Sequence, residues 1–262
     1  MAVGSGGGRV LQDDALRGAR VPGTGVLARC RSAARAVLTS RRTLHLATGA
    51  VAAVLYSNFL IDLLVPGPHE WAQQVSVLET PGHRSALLLR TTDVLAALLE
   101  LSQLPAVRAA LPVSRWRGLV VGGAAAFALG GILAAAVTLP ADPLAGTDGL
   151  LTASSALDPE ALRRAAHDGT SILSVGGMVA SAGAAWMLLR RRPRERPRWL
   201  GPVVTVVAAG CAVELGADLV VALRPQWQLL DGVSQRAQML TLSAWVVGLG
   251  AIAARPPRAV ES

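Results

Sequence analysis

The stretch 85–104, SALLLRTTDVLAALLELSQL, constrains this chain more than any other. It is long and apolar enough to cross a bilayer, yet it carries Arg90, Asp93 and Glu100. Spacings of three and seven residues return to the same side of a helix, so the three charges share one face. A charge at mid-bilayer costs about 2.5–3.5 kcal/mol on insertion scales, so two or three facing lipid would cost on the order of 5–10 kcal/mol. That face must therefore point into a bundle or a wet cavity, and its partners must come from other segments.

Other apolar runs are close at hand. The chain is 52% hydrophobic, and those residues come in long blocks rather than in alternation, which marks a polytopic membrane protein. The net charge of +8 does not point to nucleic acid. All 25 basic residues are arginine, and most lie in short segments beside apolar runs. Cys30 and Cys211 stand in unlike settings, an N-terminal arm and an apolar run, so a disulfide framework is not expected.

Six spans are predicted, at about 43–65, 85–104, 118–139, 169–189, 199–223 and 237–254. Prolines 66, 105, 140, 202 and 225 fall at their ends, as helix punctuation. The reading is an all-α integral membrane protein: a six-helix transmembrane domain (43–254), a basic and disordered cytoplasmic arm (1–42) and a short cytoplasmic tail (255–262). A short basic amphipathic helix around 26–38 could rest on anionic lipid heads. Arg41-Arg42 ahead of an apolar run resembles a twin-arginine export signal, but the run continues without a cleavage site, so the pair reads as the flank of a retained span.

Arginine sets the orientation. The arm, the 2–3 and 4–5 loops and the tail hold 19 arginines, the opposite loops five, and Arg90 lies within a span. The positive-inside rule then puts both termini in the cytoplasm of a bacterial inner-membrane protein. Trp71, Trp116, Trp199 and Trp227 fall at span boundaries, as an interfacial belt requires.

With that orientation, Asp62, Arg90, Asp93, His167, Asp168, Glu214 and Asp218 all lie toward the outer side. Glu214 and Asp218 are one helical turn apart, so they face the same way. The expectation is one outward-facing polar cavity between spans one, two, four and five. The alternative reading makes Arg90 a structural partner of Asp93 or Asp218. Five acids against one arginine within the spans do not balance, so some must be protonated, bind a cation or touch water. A zinc site from His83, His167 and Asp168, with His69, Asp62 and Asp142 within reach, is a weaker option, because no two histidines stand at i, i+3 or i+4. Ser57, Ser76 and Ser171 lack a nucleophile-elbow setting. The Gly-rich runs lack a following Lys-Ser/Thr, and no cofactor signature is evident. Gly122, Gly123, Gly130, Gly131, Ser174, Gly177 and Ser181 read as small residues for close packing of spans three and four.

Several short motifs recur in a known order. Span one is followed by Val75-Ser-Val-Leu-Glu79, then Pro81-Gly82-His83, then a second span opening Leu88-Leu-Arg-Thr-Thr-Asp93. Pro140-Ala-Asp142 and His167-Asp168 come later. The pattern resembles the bacterial six-span family catalogued as domain of unknown function 998. The resemblance implies no activity, but it puts Ser76, Asp93, Asp142 and His167 first among the outer-facing groups to test. The functional expectation is a lipid-embedded protein binding a small polar molecule or lipid headgroup, with Arg90 as the anion contact. The alternatives are a metal-dependent hydrolase of envelope lipid or a proton-coupled transporter using Asp93, Glu214 and Asp218.

Overall fold

The apolar runs become helices, and no strand occurs among the described residues. The computed structural model describes residues 23–64, 71–139 and 159–258, without the side chains of 23–38 and 62–64. The chain divides into a unit ending at Arg41 and a second, Arg42–Ser262, which contains all the packing discussed below.

Helix α1 (Gly23–Tyr56) leads into a 3-10 segment, Asn58–Leu64. A short α2 (Val75–Leu78) precedes α3 (Ala86–Ala110), α4 (Arg115–Ala136) and α5 (Pro159–Leu189). After α6 (Leu200–Leu223), a 3-10 turn, Pro225–Trp227, opens α7 (Gln228–Ala253). Local chemistry sets several of these starts. The Ser114 hydroxyl caps α4 by accepting from the Arg117 amide, and Pro159 stands at the first position of α5, where a missing N–H costs nothing.

Among the described residues, four segments are long and apolar enough to cross a membrane: α4, α5, α6, and α7 with its 3-10 turn. Their outward faces are leucine and isoleucine, with Ile172, Leu215, Leu219 and Leu223 largely exposed, as lipid contact demands. The protein is an all-helical, membrane-embedded one. Helix α3 falls short of that apolar standard because Arg90, Asp93 and Glu100 interrupt it.

Helix α7 is the hub, packed against α3, α6 and α2. Trp245 at its centre is fully buried, and its Nε1 donates to Ser181 Oγ of α5 at 3.2 Å. Ser181 in turn donates to the Val120 carbonyl of α4 at 2.9 Å, so one chain of bonds joins three helices. Helices α4 and α5 touch through small residues. A Cβ on Gly130 would lie 2.8 Å from the Ser174 amide nitrogen, whereas Gly122 and Gly131 face open space. One glycine of each expected pair, Gly123 and Gly130, therefore carries the close approach.

Three boundaries differ from the sequence reading. Backbone helix runs from Gly23 through the stretch 26–38 read as a basic helix within the arm, and span one leaves the α form at Ser57 rather than running to residue 65. At that point the Ser57 hydroxyl donates to the Ala53 carbonyl and shares a hydrogen bond with Ser243 on α7. Pro105 lies inside α3 and does not end it. The helix forgoes the bond a Pro lacks because Val107, Ala110 and Leu111 beyond it are buried in the core. His167 and Asp168 do not open α5, which starts at Pro159.

Candidate functional site

Where α1 ends, the Asn58 side chain crosses to α3. Its Nδ2 donates to the Leu89 carbonyl at 3.0 Å and to Asp93 Oδ1 at 2.8 Å. Glu79, just after α2, completes this cluster: it is buried and within hydrogen-bonding reach of Asp93. Burial pushes the Glu79 carboxyl up to about 7, opposed by hydrogen bonding with Asp93 and the charge of Arg90.

Glu79 holds this position because α7 straps α2 down. Gln235 Oε1 accepts from the Val75 amide at 2.5 Å, and Gln74 Nε2 donates to both oxygens of Asp231 at 3.0 Å. Arg236 Nη1 donates to the Gln73 carbonyl at 2.8 Å. Gly232 is required beneath this strap, since a Cβ there would run into the backbone of residues 71–73.

Arg90 pairs with neither Asp93 nor Asp218. Its Nε donates to the Ala135 carbonyl at 2.7 Å, one of the acceptors left open at the C-terminus of α4. His167 Nδ1 does the same for the Val137 carbonyl at 2.7 Å, and Arg163 for Thr138. Three side chains from α3 and α5 thus cap one helix end, where positive charge is favoured. Arg90 also borders a groove of about 430 Å³ between α3 and α4, otherwise lined by Leu87, Thr91, Val94, Leu95, Ile132 and neighbouring alanines.

Deeper in, Tyr56, Asp93, Glu100 and Phe127 surround a cavity of about 20 Å³, room for one water. Glu100 and Gln103 are each 1% exposed. Glu100 Oε1 and both polar atoms of the Gln103 amide have no hydrogen-bond partner among the described residues, and neither has Asn58 Oδ1.

Glu214 and Asp218 belong to a second cluster. With Asp231 they bring carboxylate oxygens within 4.8 Å of one another, and Ser234 sits within hydrogen-bonding reach of Glu214. The two clusters occupy different faces of α7. Ser243 and Gly250 meet Ser57 and Gly49 of α1, whereas Ser234 and Thr241 meet Glu214 and Gly210 of α6. Thr241 and Ser243 are about 200° apart around the helix, so α7 turns opposite faces to α1 and α6. Among the described residues, the acids expected around one cavity fall into two groups: Asp93 with Asn58 and Glu79, and Glu214 and Asp218 with Asp231.

The remaining candidates scatter. Asp168 is exposed on α5, Ser76 is part-buried in α2, and His83 Nδ1 contacts Ser85 Oγ at 2.8 Å. His83, His167 and Asp168 form no shared ligand group among the described residues. Asp142, His69 and the side chain of Asp62 lie outside those residues. Sequence reasoning passed over Glu79 and Asp231 as loop acids. The available signal for Glu79 was its place beside Val75 and Leu78, spaced as one buried helical turn.

Residues 27–252 match the family described as Protein of unknown function (DUF998). No curated protein and no solved structure matches the chain. The match spans most of the sequence and covers both polar clusters, so the chain belongs to the DUF998 family.

Proposed function

We propose that this protein crosses the cytoplasmic membrane six times, with both termini inside, and binds a lipid by its anionic headgroup at the outward end of α3. The observation that carries this reading is Arg90 at the edge of the apolar α3–α4 groove. Its Nε is anchored on Ala135, and its two terminal nitrogens make no hydrogen bond among the described residues. A headgroup phosphate meets the guanidinium, and an acyl chain runs along Val94, Leu95 and Ile132. The Glu79–Asp93 pair and Asn58 lie behind Arg90 and supply polar contacts to the rest of the headgroup.

Lipid retained by the purified protein, measured by native mass spectrometry, tests this reading. Arg90→Gln and the groove-filling Ile132→Trp should each strip the bound anionic lipid, and Arg90→Lys should keep part of it. Equal retention in all four proteins would refute the site.

A second reading, proton-coupled transport, draws on a different observation. Asp93, the water-sized cavity and the buried Glu100 and Gln103 form a polar line along α3. Asp93→Asn should then abolish pH-driven uptake or proton flux in vesicles while lipid retention persists.

A further inference from the structure

The connection between α5 and α6 carries six arginines in residues 190–198 and a single acid, Glu195. Positive-inside topology explains why arginines are there, but not how they are arranged. Glu195 is already engaged. Arg258 of the tail donates to both its carboxylate oxygens, Arg192 lies 3.5 Å away, and Arg255 Nη2 donates to its backbone carbonyl. The hydrogen bond from Arg258 holds the Glu195 carboxyl below its ordinary value. These contacts tie the connection to the tail, and among the described residues Glu195 has no ion pair with Arg194, Arg196 or Arg198.

Arg194, Arg196 and Arg198, at alternate positions, line a cavity of about 490 Å³ with Trp186, Gly201 and Pro202. That volume is in the range of small-ligand sites. Arg196 is held over the Trp186 ring, 5.3 Å from its centroid, and Trp186 lies across Gly201, where a Cβ would stand 3.4 Å from the indole. Helix α6 begins at Leu200, so its N-terminal dipole adds to the field of the three guanidinium groups. The walls are cationic and the floor is apolar.

We propose that this cavity is a binding site for a phosphate-bearing anion, either a phospholipid headgroup of the adjoining leaflet or a free phosphate. It stands at the opposite end of the helices from Arg90 and does not depend on the Arg90 reading. Arginine favours such a ligand because its planar fork meets two phosphate oxygens at once.

The test uses the full chain in neutral detergent and two variants of equal charge loss. Arg194→Gln/Arg198→Gln removes cavity arginines, and Arg190→Gln/Arg191→Gln removes neighbours that do not line it. Thermal shift is followed on titration with inorganic phosphate and, separately, with short-chain phosphatidylglycerol. The cavity variant should melt like the wild type without probe and bind on the order of ten-fold more weakly. The Arg190/Arg191 variant should match the wild type. Response to phosphatidylglycerol alone identifies a lipid headgroup, and response to both identifies a free phosphate site. Equal weakening in the two variants, which is what a diffuse positive surface gives, overturns the proposal, as does failure of both probes to bind the wild type.

Discussion

The carboxyl groups of Glu79 and Asp93 come from different elements and lie within hydrogen-bonding reach of each other. An ionised carboxylate only accepts, so a bond between them exists only while one of the two carries a proton.

A pH dependence follows for Glu79, with a definite sign. Burial raises its folded value from 4.5 to about 7, so the folded protein holds a proton that the unfolded chain releases. Stability is fully present below about 4.5 and is lost as pH rises through about 7, by an amount on the order of 3 kcal/mol. Melting in detergent across this window should show the wild type losing stability toward alkaline pH. Glu79→Gln should flatten the profile.

Asn58→Ala removes the amide that ties the end of α1 to Leu89 and Asp93. The loss leaves buried acceptors unsatisfied and should cost roughly 1–3 kcal/mol. A drop in melting temperature confined to Asn58→Ala, with Thr91→Ala on the groove side nearly neutral, is the expected result.

Glu100 and Gln103 make the opposite prediction. Each is buried with polar atoms that find no partner among the described residues, so their burial is a cost to the fold. Glu100→Met or Gln103→Leu should stabilise the protein, by about 1–3 kcal/mol where the polar group has no partner. The same variants should lose proton flux if the second functional reading holds. A fall in melting temperature would show that a bound water or ion supports these groups.

Packing of α4 on α5 can be probed with adjacent glycines. Gly130→Val places methyl groups against the backbone of Thr170 and Ser174, whereas Gly131→Val enters open space. Thermal unfolding should show about 1–3 kcal/mol lost for the first and little change for the second.

The Glu195–Arg258 pair should be weak. Both side chains are about one-third exposed, and pairs of that kind contribute roughly 0.2–1 kcal/mol, less in high salt. A double-mutant cycle on thermal stability, repeated at low and high ionic strength, measures the coupling. Because the pairing lowers the Glu195 value, the coupling should be intact above the ordinary carboxylate range and fall away as pH drops through the lowered one.

The apolar helices were legible in the chain because apolar length is a local property, but the starts of α5 and α7, at Pro159 and Gln228, were not, since each lies about ten residues before its apolar run. Gly123, Gly130, Gly177 and Ser174 were read correctly as contact residues. Partner choice was not legible. Arg90 and Asp93 share a helix face, yet Arg90 reaches the backbone of α4 and Asp93 turns to Asn58 and Glu79.

By itself, then, the sequence determined that this chain is an all-helical membrane protein with charges it cannot leave in lipid. Only the tertiary structure decided that Asp93 and Asp218 have separate surroundings, because that depends on which face α7 turns to each neighbour. Helical periodicity tells which residues of one helix look the same way. It does not tell what stands opposite them, and in a low-dielectric interior the group opposite sets the chemistry of a charge.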